Sequence, residues 1–317
     1  MNKIGDILKK SIGLVEQAAD GKPLGIPTGL DKFDRLTNGL QPSELMIIAS
    51  RPGMGKSSLA ITMARNIAID SEKPIGFISL ETHGEKLVSR FISQETDLTT
   101  IKLLKGFLEN HEWEALNVKT RIFKEAPIFI EDSSGMSINN IVDKCIELVE
   151  KHNVKCIFID YLQLIEPVPS KYNLGNREQE ISMIIRVLKQ TARELNISII
   201  VLSQLSRAVE MRGGSKRPLL SDLRDSGAIE NHADIVTFIY RPEYYMIDEW
   251  DDEERSPVKD QAELIIKKHK NGILDNIRLT FNSSTGKFNN IDPFEFSITF
   301  DNGFTNKSEP DDNPPPF

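Results

Sequence analysis

The sequence has few cysteines and no long apolar run, and both absences exclude classes of protein. Two cysteines in 317 residues are too few for a disulfide framework or a four-cysteine zinc site. Because no run of 18 apolar residues occurs, no membrane-spanning helix is predicted. Residues 1–6 lack the unbroken apolar core of a signal peptide. We therefore expect an intracellular protein that does not associate with a membrane.

The charge balance is acidic, with 39 Lys and Arg against 47 Asp and Glu, a formal net charge of −8. Taken alone, this value argues against a nucleic-acid-binding protein. The excess is local, however, because residues 246–260 carry seven acids and two bases, and residues 301–317 carry four acids and one lysine. We expect the first segment to be an acidic loop and the second a disordered tail. The rest of the chain is neutral, so the net charge does not exclude a DNA-binding site there.

Short apolar runs alternate with helical periodicity between residues 45 and 240. Unbroken apolar runs are typical of strands in a parallel sheet that helices cover on both faces. Near residue 262 the pattern changes, and Asn271-Gly272 between two runs indicates an antiparallel hairpin. The predicted strands are 45–49, 75–80, 127–131, 155–160, 197–202, 235–240, 262–268 and 276–281, and the predicted helices are 57–69, 84–94, 137–151 and 177–195.

The remaining parts of the chain suggest three units. Residues 1–22 form a helix with one apolar stripe, which either packs in the core or, as an arm, needs a partner surface. Residues 23–292 would form the α/β domain. Residues 293–317 would form the acidic tail.

The segment between strand 45–49 and helix 57–69 has the composition of a phosphate-binding loop. Backbone N–H groups of a glycine-rich loop at a helix N-terminus bind phosphates. Lys56 would reach the β- and γ-phosphates, and the Ser57 hydroxyl would bind Mg²⁺. The strict motif has glycine where Ser50 stands. The sequence predicts a site for ATP and Mg²⁺ formed by Arg51, Pro52, Gly53, Met54, Gly55, Lys56, Ser57 and Ser58.

Three further polar residues lie at the ends of predicted strands, where ligands gather in α/β sheets. Asp160 could hold Mg²⁺ through water, and Glu81 could polarise an attacking water molecule. Gln204 could sense the γ-phosphate. Each alone could be a surface polar group, but together with the phosphate loop they favour ATP hydrolysis.

Five ordered motifs carry a resemblance to a known family. The motifs are Ile26–Asp31, Ser79–Glu81, Ile159–Leu164, Leu202–Arg207 and Ser221–Gly227. Together they resemble the ATPase domain of DnaB-type replicative DNA helicases, which are hexameric RecA-like motors, over about residues 20–290. The resemblance implies an α/β, RecA-like P-loop NTPase fold with a mainly parallel central sheet, preceded by a linker helix that packs on a neighbouring subunit.

The resemblance also implies roles for individual residues. Glu81 would be the catalytic base, Asp160 the magnesium carboxylate and Gln204 the sensor that couples hydrolysis to movement. Lys268 and Lys270 would reach the ATP of the neighbouring subunit. The family usually has an arginine at the position of Lys270, and arginine offers phosphate a planar fork where lysine offers a point charge. Either Lys270 substitutes imperfectly, or hydrolysis is slower, or another basic residue serves.

Single-stranded DNA is the implied ligand of the segment that follows the sensor. This segment is basic and contains no aromatic residue, so it would track phosphates without reading sequence. A solvated charged loop is the alternative interpretation. The family usually has glutamate where Asp225 stands. The DNA-binding candidates are Arg207, Arg217, Arg224, Asp225 and Gly227.

The resemblance implies a homohexamer that unwinds DNA at the replication fork, with a helicase loader and primase as partners, in the cytoplasm of a bacterial or phage-infected cell. Residues 308–317 resemble the acidic Pro-Phe-ending tips of bacterial single-strand-binding proteins, and they are either disordered or dock a partner. Two other functions stay open from the sequence. One is a RecA-like recombination or signalling protein, and the other is a binding module that uses ATP only for ring assembly.

Overall fold

The computed structural model describes residues 3–21, 23–167, 177–213, 216–223 and 226–291, which form a nine-stranded sheet with helices on both faces. The strands are β1 (Leu45–Ser50), β2 (Ile75–Ser79), β3 (Ile128–Glu131), β4 (Cys156–Asp160), β5 (Ser198–Gln204), β6 (Ile235–Tyr240), β7 (Gln261–His269), β8 (Asn276–Asn282) and β9 (Lys287–Asn290). The helices are α1 (Ile4–Ala19), α2 (Asp31–Thr37), α3 (Lys56–Arg65), α4 (Gly84–Thr96), α5 (Thr100–Lys105), α6 (Asn110–Lys119), α7 (Ile138–His152), α8 (Arg177–Leu195), α9 (Ala208–Met211) and α10 (Ser226–His232).

The strand order is β3-β2-β4-β5-β1-β6-β7-β8-β9. All pairs from β3 to β6 are parallel, and the pairs from β6 to β9 are antiparallel. The prediction of a mainly parallel sheet with a C-terminal hairpin is confirmed. The sequence missed β9, a four-residue strand whose only apolar side chain is Phe288. Because β1 lies between β5 and β6, its carboxyl end opens at the middle of the sheet edge, where ligands bind in such folds.

Each face of the sheet has its own apolar core. Helices α7, α8 and α10 cover one face, and α3, α4 and the β7–β9 hairpins enclose the other. Cys145 lies in the first core and Cys156 in the second, both as free, buried thiols. Both cysteines are therefore core residues. Phe77 stacks on Phe158 with ring centroids 5.7 Å apart, and burying each such ring stabilises the fold by roughly 1.5–3 kcal/mol.

The helix predicted over 57–69 changes character before its end. The α-helical part ends at Arg65, and Asn66–Asp70 continue as a π-helical turn. At this junction the Asn66 side chain donates a hydrogen bond to the Thr28 carbonyl at 3.0 Å. The π-helical turn therefore begins where α3 contacts the segment that precedes β1. Because the two residues are 38 positions apart, the local periodicity of the sequence does not predict this contact.

Helix α1 presents its apolar side chains to solvent instead of packing in the core. Ile4 is 85% exposed and Val15 68% exposed, and Ile7, Leu8, Ile12 and Leu14 are about half exposed. The first of the two interpretations, ordinary core packing, is therefore wrong for the chain alone. Among the described residues, no helix is long and apolar enough to cross a membrane.

The acidic segment 246–260 is largely irregular, as expected, but its acids are not merely solvated. Asp251 is paired with Arg217 at 2.7 Å, and Asp252 with Arg278 at 2.8 Å. Trp250 is buried beneath them and anchors the segment to the core. The local charge excess therefore serves partly to neutralise arginines of the body, which a count along the sequence did not indicate.

Candidate nucleotide-binding site

The loop between β1 and α3 has the backbone shape of a phosphate-binding loop. Gly53 and Gly55 adopt left-handed backbone conformations with φ of +80° and +95°, which side chains other than glycine rarely adopt. A Cβ atom at Gly55 would lie 2.9 Å from the Phe288 ring. The loop therefore requires glycine at these positions. It leads directly into the first turn of α3, which begins at Lys56.

Ser57 and Asp160 form the pair that could hold a metal ion. The Ser57 hydroxyl donates a hydrogen bond to Oδ2 of Asp160 at 2.6 Å. Asp160 is 3% exposed, and its Oδ1 has no hydrogen-bond partner among the described residues. A buried carboxylate oxygen without a partner is costly, and a hydroxyl beside a carboxylate is an oxygen donor set suited to Mg²⁺. These two residues therefore fit Mg²⁺.

The described residues contain no group of three or more His, Cys, Asp or Glu side chains that could hold a metal. Mg²⁺ commonly takes only one or two ligands from the protein and the others from phosphate and water.

Lys56, in the first turn of α3, lines the cavity that this loop borders. Burial lowers the pKa of Lys56, and the carboxylates of Asp160 and Glu81 oppose this only in part. Its Nζ lies 4.5 Å from the centroid of the Tyr161 ring. A desolvated ammonium group of this kind is suited to bind an anion, which in a loop of this shape would be a phosphate group.

The predicted residues lie around one cavity of about 480 Å³. Glu81 and Gln204 line it together with the loop, so the structure brings the strand ends β2 and β5 to the phosphate-binding loop. The main-chain N–H of Gln204 donates to Oε1 of Gln163 at 3.2 Å. Two of the predicted nucleotide- and metal-binding residues do not line the cavity. The Met54 side chain is 2% exposed and lies in the core, and Asp160 is 3% exposed and hydrogen-bonded to Ser57, which does line the cavity. The loop residues that line the cavity are Arg51, Pro52, Gly53, Gly55, Lys56, Ser57 and Ser58.

Sequence reasoning missed Arg241, which lines the cavity directly after β6. Its guanidinium donates to the Gly53 carbonyl at 3.3 Å and lies 4.0 Å from the centroid of the Phe281 ring. Burial lowers the pKa of Arg241, and its Nε has no hydrogen-bond partner among the described residues. The signal that identified Asp160, a polar residue at the end of an apolar strand, applies equally to Arg241. Applied to every strand, it would have found this residue.

The two lysines predicted to act on a neighbouring subunit occupy different environments. Nζ of Lys268 donates to the carbonyls of Ala233, at 2.6 Å, and Glu230, at the C-terminal end of α10. Burial lowers the pKa of Lys268. Lys270 is 63% exposed, with its Nζ 3.9 Å from Oδ1 of Asp234. Lys268 therefore has a structural role within its own chain that the sequence did not predict, whereas Lys270 extends from the surface.

The DNA-binding candidates divide into three groups. Arg207 is exposed and borders a small cavity beside Gln204, and Gly227 is exposed in α10. Arg224 and Asp225 lie outside the described residues. Arg217 is 22% exposed, pairs with Asp251 and with the buried Glu263, and lies over the rings of Tyr240 and Trp250.

The charge of Arg217 is already paired within the chain. The side chain of Glu263 is 4% exposed and requires a compensating positive charge. The Arg217 guanidinium supplies it and also pairs with Asp251 of the acidic segment, and its role as a DNA contact stays a prediction.

Comparisons with known proteins agree with this geometry. Residues 25–290 match the family model described as the DnaB-like helicase C terminal domain. The replicative DNA helicase DnaB of Geobacillus stearothermophilus is 39% identical over 291 residues, which cover 91% of this chain and 62% of that protein. The replicative DNA helicase DnaC of Bacillus subtilis (strain 168) is 38% identical with the same coverage. The chain thus spans about three fifths of the length of these relatives.

Two solved structures share the fold. One, described as an ATPase domain, superposes with a TM-score of 0.83 at 34% identity, covering 92% of this chain and all of that one. The structure of a DnaB-like replicative helicase, described with its interactions with primase, gives a TM-score of 0.80 at 35% identity and covers 92% of this chain and 68% of that one. The fold is that of RecA-like DnaB ATPase domains, and the chain belongs to the DnaB-like helicase C-terminal domain family.

Proposed function

We propose that this chain is the motor of an ATP-dependent replicative DNA helicase, which translocates on single-stranded DNA as a hexameric ring and unwinds duplex at the replication fork. The observation that carries the proposal is the convergence of the phosphate loop, the Ser57–Asp160 pair, Glu81 and Gln204 on one cavity. Family membership supports the reaction class.

The residues that act on the ATP bound to their own subunit, here called the cis residues, have different roles. ATP, when bound, supplies the phosphoanhydride bond, and Mg²⁺ neutralises part of the charge on the phosphates. Lys56 and the loop N–H groups hold the phosphates, and Ser57 and Asp160 hold the metal. Glu81 lies on the cavity wall, where its carboxylate accepts a proton from the attacking water. Gln204 ends β5 and borders both the cavity and the basic segment, which suits a sensor.

Ring assembly would complete the site. Lys270 is the exposed cation that would reach the ATP of the neighbouring subunit, where it would stabilise the charge that develops on the phosphate. Helix α1 is an arm with an exposed apolar face, and α5 exposes a second apolar surface formed by Ile101, Leu104 and nearby Phe107. Apolar faces of this kind mark protein interaction sites. We infer that α1 of one subunit packs on such a surface of the next.

DNA would bind along the segment after Gln204. Arg207 is exposed beside the nucleotide cavity, and Arg224, Asp225 and Gly227 follow in the motif shared with the family. Six copies of this segment around a channel would bind backbone phosphates without sequence preference. The net charge of −8 does not oppose this, because the acidic segment 246–260 is partly paired with arginines of the body.

A helicase loader and primase are the proposed partners, and the cytoplasm of a bacterial or phage-infected cell is the proposed location. The primase proposal draws on the solved relative whose structure was described with its interactions with primase. The tail residues 308–317, proposed to dock a partner, lie outside the described residues.

ATP turnover with and without single-stranded DNA tests the proposed function. We expect single-stranded DNA to stimulate turnover severalfold and Lys56→Ala to abolish it, whereas Lys86→Ala, an exposed lysine on α4, serves as the matched control. Arg224→Ala should weaken binding of an oligonucleotide, and the loss should diminish as salt is raised. Absence of ATP turnover with or without DNA would contradict the proposal.

A further inference from the structure

Arg51 of the phosphate loop is bonded to the segment that follows the sensor. Its Nε donates to Oε1 of Glu210 on α9 at 2.8 Å, and its Nη1 donates to the carbonyl of Leu205 at 2.8 Å. Arg51 is 7% exposed, although it lines the nucleotide cavity. A buried guanidinium is costly without its counter-charge. Arg51 and Glu210 are therefore expected to move together instead of separating.

Glu210 belongs to a segment that is closed on itself. Leu205 and Leu223 form a β-bridge, and the Ser206 N–H donates to the Asp222 carbonyl at 2.8 Å. Arg212 pairs with the Asp222 carboxylate, whose side chain is 4% exposed. These contacts join the two ends of the segment 205–223. Its C-terminal end leads directly into residues 224–227, the proposed DNA contacts.

We propose that Glu210 is a positioning residue that couples the nucleotide site to the DNA-binding segment through its ion pair with Arg51. The inference rests on the proposed function. A change in the phosphate loop when ATP binds would move the Arg51 guanidinium, and the pair would carry α9 and the closed segment with it. DNA binding would act on the phosphate loop by the same route, because coupling between two binding sites is reciprocal.

The test measures this coupling as a ratio of affinities. Dissociation constants for a fluorescent oligonucleotide are measured with and without a non-hydrolysable ATP analogue and Mg²⁺, and those for the analogue with and without the oligonucleotide. In the wild type we expect both ratios to be equal and about 5-fold or more. Glu210→Gln keeps the shape of the side chain but removes its charge, and should reduce both ratios to below about 2-fold. Glu210→Asp should retain most of the coupling.

A matched control and a second variant keep the test decisive. Glu95 forms a comparable partly buried pair with Arg65, at 2.9 Å, between α3 and α4. Glu95→Gln should leave the coupling intact. Arg51→Lys keeps a cation but cannot reproduce both hydrogen bonds, so it should lower the coupling as Glu210→Gln does, and the double variant should lower it no further.

The outcomes separate this inference from the proposed function. A wild type that binds neither the oligonucleotide nor the analogue would overturn the proposed function itself. A wild type with coupling that Glu210→Gln and Arg51→Lys both preserve would overturn only the role of Glu210. Loss of coupling in Glu95→Gln as well would also overturn the role of Glu210, because the loss of any ion pair would then have the same effect.

Discussion

The Ser57 hydroxyl donates to the Asp160 carboxylate at 2.6 Å, and this hydrogen bond joins the first turn of α3 to the end of β4. The two residues are 103 positions apart in the sequence, yet the parallel sheet places them on one edge. The other oxygen of this carboxylate, Oδ1, is buried and has no hydrogen-bond partner among the described residues. In the proposed function, Mg²⁺ would bind at this pair, and ATP hydrolysis would depend on it.

Removing either member of this pair should weaken Mg²⁺ binding. Ser57→Ala removes a ligand oxygen, and Asp160→Asn removes the negative charge. We expect each to raise the Mg²⁺ concentration that gives half-maximal ATP turnover by about 10-fold or more. Magnesium titrations at saturating ATP measure the effect, with Ser89→Ala on the exposed side of α4 as the control. Unchanged titrations for both variants would exclude this metal position.

Lys270 should supply the positive charge that acts on the neighbouring subunit. Lys270→Arg offers the phosphate a planar fork and should keep or raise the maximal turnover. Lys270→Ala should lower it by about 10²-fold or more, since an arginine supplied to the phosphate is worth about 10³–10⁵ in well-studied nucleotide hydrolases. Steady-state turnover of the assembled ring measures both. Lys267→Ala, on β7 three residues before Lys270, is the control. Full activity of Lys270→Ala would show that another group stabilises the transition state.

The apolar face of α1 should hold the ring together. Ile7→Asp places a charge on this face and removes a side chain whose burial would be worth about 1.5–3 kcal/mol at each interface. We expect the concentration at which the ring dissociates to rise by at least about 10-fold. Sedimentation velocity over a concentration series measures this, with Gln17→Asp on the polar side of α1 as a control of equal charge. An unchanged assembly of Ile7→Asp would contradict the role of α1.

The acidic segment should make stability depend on pH through Asp252. Hydrogen bonds from the Ser256 side chain and from Arg278 lower the pKa of Asp252 below its ordinary value. The stabilisation is therefore present above the unfolded-state pKa of about 3.9 and is lost as the pH falls through the lower folded-state pKa. Asp252→Asn should be less stable than the wild type at pH 7 by an amount that stays constant down to about pH 5 and shrinks below about pH 4. Urea unfolding at several pH values measures the difference, and a difference that grew on acidification would refute it.

The fold and the cis site could be predicted because both leave local signals. Unbroken apolar runs mark the strands β1–β6, and the glycines at 53 and 55 mark a loop that only left-handed backbone can form. Once the strands are assigned, the parallel order brings Glu81, Asp160 and Gln204 to one edge without further information.

The remaining features depend on contacts between distant residues. The sequence predicts a DNA contact at Arg217, but it does not indicate that the buried Glu263, 46 positions later, pairs with this arginine. The family resemblance implies that Lys268 reaches the ATP of a neighbouring subunit, but it does not indicate that the carbonyls at the end of α10 accept hydrogen bonds from this lysine. A sequence states which side chains are charged, and only the packing decides which of them remain available to a ligand.

Unwinding of a forked DNA duplex is the most direct test of the central claim, that this chain is an ATP-driven helicase motor. The measurement follows strand separation by fluorescence with ATP and Mg²⁺, beside the Lys56→Ala variant and a reaction with a non-hydrolysable ATP analogue. The wild type should separate the strands only with hydrolysable ATP, and Lys56→Ala should separate none. Equal strand separation by the wild type and Lys56→Ala, or ATP turnover by the wild type without any unwinding, would contradict it.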